Sequence, residues 1–170
     1  DYIEWWYFDS VNEDKSLVRG RFYIMGDLSK PKGVKAGVKF SVLNPDGRET
    51  IMEETFPYAS FSSSMETCDV RIGKNYAKGR LLRYQLHVEQ REKALDLEFT
   101  SRIRGVKPAP EGKVYFDKGK GYMAWVVPQP RTEVKGTFRT KEATLNLRGE
   151  GYHDHNWSNI PLIDYLSYWL

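Results

Sequence analysis

Residues 80–104 read RLLRYQLHVEQREKALDLEFTSRIR, and this stretch decides the fold. In its first half Leu82, Tyr84, Leu86 and Val88 share one face, with Arg83, Gln85 and His87 on the other. In its second half Leu95, Leu97, Phe99 and Ile103 alternate with Asp96, Glu98, Thr100, Arg102 and Arg104. Successive side chains leave a pleated strand on opposite sides, so an apolar residue at every second position marks one buried and one wet face. No apolar stripe at helical spacing competes with that pattern. The polar Gln90-Arg91-Glu92-Lys93 between the halves suits a hairpin loop, and two antiparallel strands are predicted.

The same alternation extends in both directions. Val38, Phe40 and Val42 alternate with Lys39 and Ser41 until Asn44-Pro45-Asp46-Gly47, a turn in which Pro fixes one φ angle and Gly supplies the unusual one. Residues 48–57 return as the partner strand. In residues 17–25, Val18, Phe22 and Ile24 oppose Arg19, Arg21 and Tyr23, and the mid-strand Gly20 predicts a bulge or sharp bend. Later strands are expected at 122–127, 133–140 and 143–151. Residues 59–64 suit a loop at a barrel mouth, and the Pro- and Gly-rich 105–121 a mobile connection. The total is about nine or ten strands with no helix, an all-β class.

Many short antiparallel strands make a sandwich or a barrel. A barrel removes exposed edges by pairing its first strand with its last. That pairing would set YIEWWYFD (2–9) beside GYHDHNW (151–157). Beyond Trp157 the pattern changes, so residues 1–158 are expected to form the barrel. Residues 159–170 would begin a linker or crossover to a second unit.

Composition narrows the function classes. At 170 residues the chain suits one domain with a real core. The net charge of +3, with basic and acidic residues interleaved, argues against a nucleic-acid partner. No apolar run reaches the roughly 18 residues of a spanning helix, so no spanning segment is expected and membrane contact stays an open option. Cys68 is the single cysteine, excluding an internal disulfide. The chain begins at Asp1, not Met, and reads as part of something longer. Aromatic content is 14%, with five Trp and eleven Tyr, which fits an apolar ligand cavity, an interface or plain barrel filling.

Within GYHDHNW, strand geometry puts His153, His155 and Trp157 on one face and Tyr152, Asp154 and Asn156 on the other. Three chemistries compete. The His153-x-His155 pair could begin a metal site, but the third histidine is the distant His87, and no metal is assigned. Alternatively Asp154 or His155 delivers a proton inside an apolar pocket, where burial would hold an Asp protonated. A purely structural reading has these residues knit the barrel together by hydrogen bonds. In the first strand Trp5 and Tyr7 share one face and Trp6 and Phe8 the other, with Glu4 a proton acceptor or a partner for His153. Trp and Tyr faces could stabilise a cation. Asn156-Trp157-Ser158 matches the glycosylation tripeptide, a pattern common by chance.

Four ordered motifs carry a resemblance: EWWYFD (4–9), AWVVPQPR (124–131), Val134-Lys135-Gly136 and GYHDHNW. Together they resemble the lipocalin-like family that includes AttH-type proteins and the carotenoid 1,2-hydratases (hydroxyneurosporene synthases). The resemblance implies an antiparallel lipocalin-like, calycin-type β-barrel, the first of two in the chain. It implies two partners, a lipophilic small molecule and the second barrel. In the hydratase branch a terminal double bond of a linear carotenoid is protonated and water captures the tertiary cation, with no metal or organic cofactor. Related fungal proteins cyclise polyketide chains. The hydratase's polar residues map onto His155 and Trp157, while an Asp and a Tyr of that set would fall after Leu170. Ser158 stands where the family commonly has Gly. On this reading Asp154, His155 and Trp157 are expected to be catalytic. Glu4, Trp5, Trp6, Tyr7, Trp125, Tyr152, His153 and Asn156 are expected to contact the ligand. The alternatives are a non-enzymatic lipid carrier and a structural domain packed on a second barrel.

Overall fold

A computed structural model describes residues 2–80, 82–107 and 110–161. The alternating segments become the strands β1 (Tyr2–Asn12), β2 (Leu17–Gly26), β3 (Lys35–Leu43) and β4 (Glu49–Pro57). They continue through β5 (Phe61–Ser63), β6 (Cys68–Ile72), β7 (Asn75–Arg80), β8 (Arg83–Gln90) and β9 (Lys93–Ser101). The last three are β10 (Lys113–Phe116), β11 (Gly121–Arg139) and β12 (Thr144–Ser158). Among the described residues the only helical pieces are three-residue 3₁₀ turns. The strands form one antiparallel twelve-stranded sheet in the order β4-β3-β2-β1-β12-β11-β9-β8-β7-β6-β5, with β10 added beside β11. The sheet curls into a nearly closed lipocalin-like barrel.

The count exceeds the nine or ten strands expected, because the segments around 61–80 hold three short strands whose alternation is too brief to read. Two expected strands, 122–127 and 133–140, are instead one continuous β11. Residues 105–121, expected to be a mobile connection, contain β10 and a bridge from Val106 to Val127. The 159–170 linker expectation lies largely outside the described residues.

First and last strands do pair. The β1–β12 register sets Trp6 opposite His155, Tyr7 opposite Asp154 and Phe8 opposite His153. That ladder sits mid-sheet, however, and is not the seam. The barrel's edges are β4 and β5, which no ladder joins. The β8–β9 hairpin reaches across to β4, where Lys93 Nζ donates to the Ile51 carbonyl at 3.2 Å and Gln90 Nε2 to that of Glu53.

The inward faces fill one end of the barrel. Phe8, Phe22, Phe40, Phe99 and Phe138 are all fully buried, each contributing about 2–3 kcal/mol by burial. Phe22 meets Phe40 edge-on at 5.5 Å, and Phe8 meets Phe99 at 5.3 Å. Gly20 makes no bulge: the register runs unbroken through it on both sides. A Cβ there would collide with the Phe40 ring and the Lys39 carbonyl, so the missing side chain makes room for a core aromatic. The predicted turn after β3 forms as read, with Gly47 at φ +85 and its N–H donating to the Asn44 carbonyl at 3.0 Å.

Candidate functional site

The opposite end of the barrel is open. The strand starts at Tyr2, Arg83 and Gly121 and the ends at Gly26, Arg80, Ser101 and Ser158 all gather there. A cavity of about 1200 Å³ opens at this end. Its wall includes Glu4, Trp6, His153, His155 and Trp157 from the β1–β12 ladder, with Tyr84 from β8 and Phe61 from β5.

Each inward histidine stacks on the aromatic ring directly across the ladder. His155 lies 4.5 Å from Trp6 with the planes 11° apart, and His153 lies 4.0 Å from Phe8 at 3°. Facing residues on adjacent antiparallel strands bring their side chains together, so the pairing follows from register. Trp157 flanks His155 from the other side at 4.9 Å.

The two histidines are held differently. His155 Nε2 is 2.8 Å from Glu4 Oε1, and the Tyr2 hydroxyl donates to Glu4 Oε2 at 3.0 Å. A Tyr2–Glu4–His155 chain therefore lines the cavity, with the His155 and Glu4 side chains 25% and 16% exposed, so a ligand can reach both. His153 is fully buried. Its Nδ1–H donates to the Tyr7 carbonyl at 2.8 Å, which fixes the tautomer with a lone pair on Nε2. Burial drives the His153 imidazole down to about 3, the Tyr7 hydrogen bond opposing and the neighbouring His155 adding to it. Nothing among the described residues donates to Nε2.

The other face of β12 holds a separate polar cluster. The Tyr152 hydroxyl donates to Asp154 Oδ2 at 2.9 Å, and Asn156 Nδ2 donates to Asp154 Oδ1 at 2.6 Å. Trp125 lies across from Asn156 and beside Tyr152, while Trp5 faces Asn156 from β1. Tyr7 bonds Asp9 on the same face. Burial pushes Asp154 up to about 6 against the opposing hydrogen bonds from Tyr152 and Asn156. It pushes the Tyr7 phenol up to about 12, helped by Asp9.

Of the residues expected from sequence, Glu4, Trp6, His153, His155 and Trp157 are thus brought together on the cavity wall. Trp5, Tyr7, Trp125, Tyr152, Asp154 and Asn156 stand on the opposite face. Asp154 is absent from the cavity lining, so a proton from it would have no direct path to a ligand there. Asn156 is fully buried, which closes its glycosylation tripeptide to a glycosyltransferase. His87 is remote from both histidines, its Nδ1 2.6 Å from Asp96 on the β8–β9 hairpin. Sequence reasoning missed Tyr2, whose alternation with Glu4 and Trp6 did signal it. It also missed Phe61, Arg80, Tyr84 and Arg104, which only the curl of the sheet brings to the cavity.

AWVVPQPR shapes the neighbouring wall. Pro128 and Pro130 have no N–H for the ladder, and the β11–β12 register shifts on both sides of Gln129, opposite His153. Gln129 is fully buried and its Nε2 donates to the Leu82 carbonyl at 3.0 Å, tying β11 to the β7–β8 turn.

Known proteins share this sequence and architecture. The chain is 26% identical over 202 residues to hydroxyneurosporene dehydrogenase of Chlorobaculum tepidum, covering 98% of this chain and 52% of the relative. An AttH protein of Nitrosomonas europaea matches the fold with a TM-score of 0.75 at 16% identity, covering 94% of this chain and 52% of its own. Kievitone hydratase of Nectria haematococca matches at 0.65 and 14% identity, over 93% of this chain and 48% of its own. CghA, solved with Sch210972, matches at 0.64 and 15%, over 92% of this chain and 45% of its own. No family model matches the chain. It spans about half the length of these relatives. The chain is thus similar in sequence along nearly its whole length to the hydroxyneurosporene dehydrogenase, and it shares its barrel fold with the AttH protein.

Proposed function

We propose that the barrel binds a lipophilic, isoprenoid- or lipid-like small molecule in the cavity bounded by Trp6, His155 and Trp157. The observation that carries this reading is the cavity itself: its 1200 Å³ exceeds the upper end, about 1000 Å³, of ordinary small-molecule sites. Aromatic and aliphatic residues such as Trp6, Ile24, Phe61, Leu82, Val126 and Trp157 make up the larger part of its wall, with polar groups interspersed that can orient a greasy ligand.

In its enzymatic form the site hydrates a carbon–carbon double bond. The proton shared between His155 Nε2 and Glu4 Oε1 passes to one alkene carbon, leaving a tertiary cation on the other. The faces of Trp6 and Trp157 lie beside that charge and stabilise it. Water then adds to the cation, and its surplus proton returns to the Glu4–His155 pair, giving a tertiary alcohol. Tyr2 holds the second Glu4 oxygen and keeps the carboxylate in line. The substrate class in this reading comes from the carotenoid that the hydroxyneurosporene dehydrogenase is named for, and the chemistry from the family resemblance and from the Glu4–His155 pair lining the cavity. A second barrel of the same chain is the partner this reading carries.

Titration with lycopene, followed by quenching of Trp6 and Trp157 fluorescence and by product analysis, tests both levels. Saturable binding with formation of the tertiary alcohol, lost in His155→Ala and in Glu4→Gln, is the expected result. Binding without product in the unaltered protein would favour the second reading, a non-enzymatic carrier. That reading is supported by the cavity lining itself, whose Trp6, Phe61 and Trp157 can hold a greasy ligand without doing chemistry. Absence of binding to any isoprenoid or lipid overturns the proposal.

A further inference from the structure

Two cations stand on the lining of the cavity where its open end meets solvent. Arg80 closes β7 and Arg104 follows β9, and both are exposed. Several arginines elsewhere on the barrel are matched, Arg19 with Glu49, Arg71 with Asp69, Arg139 with Asp96 and Arg148 with Glu13, whereas Arg80 and Arg104 combine the lack of an ion pair with a place on the cavity lining. Among the described residues the guanidinium of neither Arg80 nor Arg104 enters an ion pair or a hydrogen bond. The acids on the same lining are Glu4 and Glu66, and Arg83 and Arg102 stand beside the two arginines in sequence at the same end. The same lining carries Leu28, Met65 and Leu82, all exposed. Two unpaired guanidiniums at the mouth of an apolar chamber match a molecule with a greasy body and an anionic end. Arginine's planar fork grips carboxylate and phosphate oxygens in pairs.

We propose that the cavity takes an anionic amphiphile, its chain inside the barrel and its acidic group held at the mouth by Arg80 and Arg104. This rests on the cavity being a lipophilic site, and it adds the charge and the orientation of the ligand. The chain enters past Leu82 and lies toward Trp6 and His155. The acid stays at the rim, where it keeps part of its hydration and costs little to place.

Oleate and oleyl alcohol, which share a chain and differ in charge, serve as probes in the same fluorescence titration. Oleate is expected to bind at least tenfold more tightly than the alcohol at low ionic strength. That preference should vanish in Arg80→Gln/Arg104→Gln and shrink in high salt, while affinity for the alcohol stays unchanged. Sedimentation with phosphatidylglycerol and with phosphatidylcholine vesicles separates the two sources of the anion. Oleate preference without vesicle binding assigns a free acid. Arginine-dependent sedimentation with phosphatidylglycerol alone assigns a lipid headgroup. Equal affinity for oleate and oleyl alcohol, with no preference between the vesicles, overturns the inference and leaves the lipophilic site intact. Failure of the alcohol, the acid and both vesicles to bind would instead remove the lipophilic site itself.

Discussion

The two faces of β12 make a controlled comparison, because alternate residues of one short stretch meet opposite surroundings. His153, His155 and Trp157 look into the barrel, while Tyr152, Asp154 and Asn156 look away from it. Both faces are polar and largely buried, yet they are satisfied differently. The outer side chains bond to one another along their own strand. The inner histidines stack on β1 rings, and each face keeps one buried acceptor without a partner among the described residues, His153 Nε2 inside and Asn156 Oδ1 outside. The outer face is held by hydrogen bonds along one strand, the inner face by ring stacking across the ladder.

Four substitutions would break or sharpen that contrast. Phe8→Ala removes a core ring and the platform under His153, and should cost about 3–5 kcal/mol in chemical denaturation. His153→Phe keeps the stack but loses the bond to the Tyr7 carbonyl, about 1–2 kcal/mol at neutral pH. It also changes the acid response. The native His153 titrates near 3 against an ordinary 6.5, so its contribution is complete above 6.5 and is lost as pH falls toward 3. Denaturation of His153→Phe between pH 6.5 and 4 should therefore decline less than that of the unaltered protein.

The outer face should respond with the opposite sign. Asp154 is raised from 3.8 to about 6, so its stabilising contribution is present below 3.8 and lost as pH rises through 6. Asp154→Asn should remove a loss of about 3 kcal/mol between pH 4 and 7. Asp9, also raised by burial, would leave a smaller slope of the same sign. If the two variants shift the pH profile in the same direction, the distinction between the faces fails. Glu150→Ala supplies the baseline, since its ion pair with Arg131 is exposed on both sides, screened by solvent, and its loss should leave the denaturation midpoint nearly unchanged.

Much of this was legible. Tyr84, Leu86 and Val88 face Phe99, Leu97 and Leu95 across a hairpin, as their alternation requires. The neighbourhood of EWWYFD and GYHDHNW followed from asking where the first and last strands could find partners. Gly20 shows a limit of local reading. A strand glycine signals that something needs room, but only packing shows that it is the Phe40 ring and not a bulge. The bulges arose instead at Pro128 and Pro130, where the missing N–H was visible in the sequence but its position opposite His153 was not. Asp154 makes the same point about the site. Alternation placed it opposite the histidines, but not on which side of the sheet the cavity would lie.

By itself, then, the sequence determined the strand pattern, the turn at Asn44–Gly47 and the division of GYHDHNW into two faces. Those are short-range consequences of side-chain alternation and of the backbone limits on Pro and Gly. The tertiary structure decided which face is inside, that β4 and β5 form the seam, and that Arg80 and Arg104 share a mouth with His155. Register and curl set those outcomes, because both depend on contacts between residues far apart in the chain, which no local period records.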